Sequence, residues 1–139
     1  MRGVTFDNKH SYYDWNLMLK TAPRITSPQP KTHYVDVPGA HGSLDLTEML
    51  TGKVQFKNRK IELEFVTMAG REEWPAIYSD ILNNLQGQLK EIRFDDDPLH
   101  IYKGRVTVGD PERDNAVITL RMSAEVEPFK KTVDGRVML

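Results

Sequence analysis

Asp95, Asp96 and Asp97 stand side by side with His100 three residues beyond, and these are residue types that hold hard or borderline metal ions. Ligation needs side chains converging from separate elements, whereas neighbours on a turn point apart. The run therefore reads as a solvated turn leading into a strand. A second set, His41, Ser43 and Asp45, has the composition of an acyl-transfer triad. Its members are crowded into one short loop, and the GxSxG elbow that aims a nucleophile is absent. A tight glycine turn with Ser43 and Asp45 capping backbone groups accounts for it better. His10 and His33 are scattered without HExxH or HxH spacing, and neither GxxxxGK[ST] nor GxGxxG occurs. No catalytic residue, metal ligand or cofactor follows from these residues, and the expectation is a protein that is not an enzyme.

The bulk properties narrow the remaining classes. A chain of 139 residues, 39% hydrophobic, can build one core of ordinary size. Its formal net charge of -1 supplies no global basic field to gather nucleic acid. The "HIYKGRV" stretch, with Tyr102, Lys103 and Arg105, reads as a half-buried strand with a basic outer face rather than a base-stacking surface. Sequence-specific nucleic-acid binding is not expected. There is no cysteine, and the opening Met1-Arg2-Gly3 lacks the apolar run of a signal peptide, so synthesis and folding in a cytoplasm are expected. No stretch approaches the roughly 18 apolar residues of a membrane span.

The elements follow from periodicity. In Asn115 to Glu127, Ala116, Ile118, Leu120, Met122, Ala124 and Val126 alternate with mostly polar residues, which predicts a strand with one buried face. "KIELEF" (Lys60 to Phe65) shows the same period, and so does "YDWNLML", where Tyr13, Trp15, Leu17 and Leu19 are expected on one face. Weaker strands are read at Gly3 to Phe6, Thr32 to Val37, Lys53 to Phe56, Gln88 to Phe94 and His100 to Val108. One segment changes period: Trp74, Ile77, Tyr78, Ile81, Leu82 and Leu85 follow helical spacing, with Pro75 in the first turn and Gly87 at the end. Trp74, Ile77, Ile81 and Leu85 are expected to face the core, against Ile118, Leu120 and Met122. Strands, one helix and strands again give an α+β fold, a largely antiparallel sheet or two small sheets with the helix closing the core.

Between these elements, Pro23, Pro28 and Pro30 cannot donate ladder hydrogen bonds, so "TAPRITSPQPKT" (Thr21 to Thr32) reads as an extended surface arm. "GDPERDN" (Gly109 to Asn115) reads as a polar hairpin connection. Residues 1–130 form one domain in this reading, and 131–139 a short C-terminal tail. Apolar residues also stand in unusual places: Leu44, Leu46, Met49 and Leu50 after a glycine loop, Ile25 in the proline-rich arm, and Val137 to Leu139 at the end. Some of these are expected to pack on a neighbouring molecule.

The order of these segments resembles the N-terminal domain of the distal tail protein family of long-tailed bacteriophages and prophages, over residues 3 to about 130. The resemblance is carried by "GVTFDNKHSYYDWNLML", "VDVPGAHGSLDLTE", "KNRKIELEF", the tryptophan-led helix and "IRFDDDPLHIYKGRV". Within them stand Gly42, Leu44 and Asp45; Asn58 and Arg59; Asp96 to Pro98; and Tyr102, Gly104, Arg105 and Val106.

The resemblance implies a β-sandwich-like body with one amphipathic helix and an extended β-hairpin reaching a neighbour. It implies a virion structural protein, made in the bacterial host cytoplasm, of which six copies ring the distal end of the tail tube. DNA and the tape-measure protein would pass through that ring, and the tail-tube and tail-tip or baseplate proteins would be its partners. Many relatives carry a second, carbohydrate-module-like domain, whereas the match here covers only the ring-forming one. Gly39, His41, Gly42, Leu44, Asp45, Leu46, Met49 and Arg59 are the implied oligomer-interface residues. A tail-tube or tail-terminator protein of related fold is the near alternative, and a β-sandwich saccharide-binding module the alternative of another class.

Overall fold

A computed structural model describes residues 3–49 and 52–139. In chain order these form β1 (Val4–Phe6), β2 (Lys9–His10), α1 (Ser11–Trp15), β3 (Met18–Leu19), β4 (Arg24–Ile25), β5 (Pro30–Lys31), β6 (Tyr34–Asp36) and β7 (Ser43–Asp45). There follow β8 (Gln55–Phe56), β9 (Arg59–Thr67), α2 (Trp74–Leu85), β10 (Leu89–Phe94), β11 (Asp97–Val108), β12 (Glu112–Asp114), β13 (Val117–Val126), β14 (Lys130–Thr132) and β15 (Val137–Met138). The body is a single curled antiparallel sheet, ordered β2-β1-β10-β11-β13-β9-β3, with α2 closing its concave side. The α+β, mainly antiparallel architecture read from periodicity is therefore the one observed.

The two strongest alternating segments form the longest ladder. β9 and β13 pair from Arg59↔Val126 to Thr67↔Ile118. Their inward residues Ile61, Leu63, Phe65, Ile118, Leu120, Met122, Ala124 and Val126 are buried. Their outward residues form exposed ion pairs, including Lys20–Glu64 and Arg121–Glu112, which add little stability in high dielectric. β11 is shared along its length, with His100 and Ile101 facing β14 and Gly104 to Val108 facing β13. The 109–115 connection itself pairs, since β12 folds back on β13 and Asn115 takes the left-handed conformation between them.

Trp74, Ile81 and Leu85 of α2 are buried, and Ile77 is partly buried against the same core. The helix packs most closely on β11. Gln86 fastens its end there, accepting from Val108 N–H at 2.6 Å, and the Tyr78 hydroxyl reaches Gly109 O at 3.3 Å. Gly87 has φ +70°, yet its N–H donates to Val106 O at 2.8 Å rather than back to the helix. It is left-handed directly after the helix C-cap Gln86, as its place at the end of the periodic segment suggests, and it turns the chain into β10.

The segment Tyr13 to Leu19 departs from the expected strand. Ser11–Trp15 is a helical turn, Asn16 ends it at φ +56°, and only Met18–Leu19 pairs with β9. Trp15 and Leu17 are buried, but Tyr13 is 75% exposed and does not share their face. The physical reason is local capping. His10 Nδ1 accepts from Tyr12 N–H at 3.1 Å and Tyr13 N–H at 3.3 Å, while Asp14 accepts from His10 N–H at 2.7 Å. Such caps satisfy the orphan donors of a first turn.

With Nδ1 accepting, the His10 proton sits on Nε2 and is donated to Asp95 Oδ2 at 2.8 Å, tying α1 to the β10–β11 turn. Trp15 Nε1 ties α1 to α2 by donating to Asp80 Oδ2 at 2.7 Å. His10→Ala is expected to cost about 1–2 kcal/mol, the loss of a helix N-cap. Urea unfolding measures it, and His10→Asn should recover part of the loss because Asn also caps. A zero effect would show that α1 is held by Trp15 alone.

Candidate functional site

The arm departs from the body between Thr26 and Arg59. β5 and β8 form a two-residue ladder at its root, Pro30↔Phe56 and Lys31↔Gln55. β6 and β7 form a second ribbon toward its tip, pairing Tyr34↔Asp45, Val35↔Leu44 and Asp36↔Ser43. Neither ribbon joins the main sheet. The proline-rich stretch belongs partly to the body and partly to the arm, since β4 pairs with β9 and β5 then forms the root ribbon with β8.

Directly paired residues of an antiparallel ribbon point to the same face, and successive residues alternate. Val35 and Leu44 therefore share one face of the tip, while Tyr34, Asp36, Ser43 and Asp45 occupy the other. The polar face is internally bonded. The Ser43 hydroxyl donates to Asp36 Oδ1, and Asp45 accepts from both the Thr47 hydroxyl and Thr47 N–H, the latter at 2.9 Å. These Thr47 bonds, the side-chain one first, hold the Asp45 carboxyl below its usual range. The apolar face has no such closure: Leu44 is 53% exposed and Val35 and Val37 are exposed beside it.

Gly39 (φ +81°) and Gly42 (φ +70°) lie in the turn joining β6 to β7, where the left-handed conformation favours glycine. His41 is exposed on that turn, while Ser43 is bonded to Asp36 and Asp45 to Thr47. Leu46 is half-buried and extends the ladder, its N–H donating to His33 O at 2.7 Å. Met49 is 74% exposed. Leu46, Met49, His33 and Gln55 line a shallow groove of about 400 Å³. Leu50 lies outside the described residues.

Arg59 is placed differently from the other interface candidates. It is half-buried at the root of the arm, with Nε donating to Thr26 O at 3.1 Å and Nη1 to Pro128 O at 3.4 Å. Its guanidinium lies 5.8 Å from the ring centre of Tyr102, a cation–π distance. Phe56 meets Phe129 edge to face at 6.0 Å beside it. These contacts fasten the arm to β11 and the end of β13. Burial pushes the Tyr102 phenol up, with Arg59 opposing and Asp97 adding to the shift.

Elsewhere the chemistry is sparse. Asp97 Oδ1 accepts from His100 Nδ1 at 2.7 Å, and Asp95 is engaged by His10, so the acidic run is divided between separate partners. Among the described residues, no group of three or more His, Cys, Asp or Glu is arranged to hold a metal ion. A groove of about 540 Å³ crosses the outer sheet face at Arg24, Glu62, Glu64 and Arg121. Arg121 and Glu64 are 3.6 Å apart there, and Glu62 pairs with Lys60, so its charges serve one another. No helix among the described residues is long and apolar enough to cross a membrane.

A curled antiparallel sheet closed by one long helix, with a hairpin arm projecting from one end, is the class this geometry defines. Among solved structures, the chain is similar to the crystal structure of the SPP1 Dit (gp 19.1) protein, described as a paradigm of the hub adsorption apparatus in phages infecting Gram-positive hosts. The TM-score is 0.73 at 14% identity, over 95% of this chain and 52% of that one. The chain thus spans about half the length of that protein and shares its fold. No protein-family model matches the chain, and no curated protein matches it in sequence.

Proposed function

We propose that this chain is a structural, non-enzymatic component of a phage or prophage tail. It forms a ring of six at the distal end of the tail tube, joining tube to tail tip or baseplate and leaving a passage for DNA. The observation that carries this reading is the uncovered apolar face of the arm, Val35 and Leu44, on a two-stranded ribbon with no body behind it. A two-stranded hairpin is marginal in water, and packing on another surface is what stabilises it. A closed ring needs two different surfaces on each subunit, and a projecting arm supplies one of them.

The likeness to a phage hub protein and the family resemblance of the sequence both support the tail assignment. The tail-tube, tape-measure and tail-tip proteins are the partners this reading names, and the virion tail its location. A saccharide-binding module gains no support from the tryptophans, since Trp15 and Trp74 are both buried.

The test is the oligomeric state of the purified chain. Light scattering should give the mass of six subunits, and electron micrographs should show a ring with a central hole. Leu44→Asp places a charge on the arm's apolar face, where docking would desolvate it without a partner. The variant is expected to remain folded by circular dichroism and to scatter as a monomer. A wild type that stays monomeric at high concentration overturns the ring, and a Leu44→Asp protein that still assembles fully overturns the part given to the arm's apolar face.

A further inference from the structure

The arm meets the body at a break in hydrogen bonding. On the body side, Thr26 N–H donates to Lys60 O at 3.0 Å, the Thr26 hydroxyl donates to the same oxygen at 3.3 Å, and Lys60 N–H donates to Thr26 Oγ1 at 2.9 Å. On the arm side, Lys57 N–H donates to Gln29 O at 2.7 Å, and the β5–β8 ladder begins. Between these points stand Ser27 and Pro28 on one limb and Asn58 on the other, with no hydrogen bond from limb to limb among the described residues. Pro28 has no N–H to give. The main sheet ends on one side of the break and the separate β5–β8 sheet starts on the other, so the two limbs can turn together about it.

Across the break, Phe56 of the arm meets Phe129 of the body. Phe129 stands on a fixed support. Glu127 N–H donates to Lys103 O at 2.9 Å, Pro128 holds its own φ, and Lys130 enters β14 opposite Met138. Arg59 holds the same backbone through Pro128 O, while its Nε bonds Thr26 O, where the outgoing limb leaves the body. Phe56 and Phe129 both lie outside the main core, and Phe129 is 40% exposed. The closure of the body therefore does not depend on their contact. An edge-to-face pair shifts a two-state balance by roughly two- to tenfold beyond the area it buries, enough to bias a hinge without freezing it.

We infer that the root of the arm is a hinge at Ser27, Pro28 and Asn58, latched by Phe129 on Phe56, with Arg59 as the residue that positions the latch. Latched, the arm keeps one direction from the body. Unlatched, it swings as a unit. Arg59, which the family resemblance implies at an oligomer interface, acts here within its own chain. The latch is a property of the single chain, and its test is independent of the ring.

The chain contains no cysteine, so spin labels attach only at introduced sites. His33→Cys on the arm and Ser79→Cys on α2, both exposed positions, carry the pair. At a dilution where scattering shows single chains, the distance distribution between the labels should have one dominant peak. Phe129→Ala and Phe56→Ala should each reduce that peak to a minor share, with the circular dichroism and melting temperature of the labelled parent. Phe129→Tyr keeps the ring and should retain the peak. Arg59→Ala should broaden the distribution too, and Arg59→Lys should not restore it, because an ammonium lacks the fork that reaches two carbonyls. The two phenylalanines lie on opposite sides of the break, so either alanine variant decides the matter if the other fails to fold. A dominant peak that survives the loss of the aromatic pair sinks the latch, and so does a parent distribution without one. An unchanged peak in Arg59→Ala removes the positioning role given to Arg59.

Discussion

Ile81→Ala should lower the unfolding free energy by about 2–5 kcal/mol, the range for truncating a buried aliphatic side chain to a methyl. Ile81 is fully buried at the centre of the core face of α2, between Trp74 and Leu85. α2 closes the concave side of the sheet, and its end is fixed to β11 through Gln86 and Val108. The helix therefore has little freedom to settle into the vacated space. The cost combines lost transfer energy with an unfilled cavity, and urea unfolding with an unchanged m-value measures it. A loss below about 1 kcal/mol would mean that the helix collapses onto the sheet more readily than its hydrogen bonds suggest.

A second large effect is expected where nothing is removed. A methyl added at Gly104 would stand 2.2 Å from Glu125 O and 2.5 Å from Val126 Cα. Both obstacles are backbone of the adjacent strand β13, paired with β11 at that point. Neither can swing aside as a side chain would. Gly104→Ala must push the two strands apart at the middle of the sheet, with an expected cost of about 3 kcal/mol, the upper part of the usual overpacking range. Gly109→Ala is the useful comparison, because its added methyl would stand 2.8 Å from a single backbone oxygen, Arg121 O. The expected order of melting temperatures is wild type, Gly109→Ala, then Gly104→Ala. A Gly104→Ala protein as stable as the wild type would show that the strands separate freely.

Gly104 also shows what the sequence can and cannot disclose. It stands in the Tyr-x-Gly-Arg-Val stretch that contributes to the family resemblance, and so does Tyr102, whose ring lies beside Arg59. Their positions in the structure mark a close strand approach and the fastening of the arm root. Strands β9 and β13 and helix α2 were legible because each buries one face, and burial imposes period two or period 3.6 on the residues. The segment Tyr13 to Leu19 was not, because a turn of helix followed by left-handed Asn16 buries Trp15 and Leu17 at the same spacing a strand would. His10 with Asp14 was the available signal, an acceptor before the turn and a carboxylate reaching back to its amide. Of the four arm strands, β6 and β8 fall within the weaker strands read at Thr32 to Val37 and Lys53 to Phe56, whereas β5 and β7 were visible only as a proline-rich stretch and a glycine loop. The pairing of β5 with β8 joins segments about 25 residues apart, which no local pattern announces.

The separation of the arm from the main sheet has a kinetic meaning. A hairpin tip held by Tyr34–Asp36 against Ser43–Asp45, with its apolar face in water, has little to keep it closed in a free subunit. Isolated hairpins close in about 1–10 μs, far faster than dilute subunits meet. The tip thus opens and closes many times between collisions, and a productive encounter draws on the closed fraction alone, since the apparent affinity falls in proportion to the population able to bind. Under the proposed ring reading, the turn from Val37 to Gly42 governs how often an approaching neighbour finds an arm ready to dock.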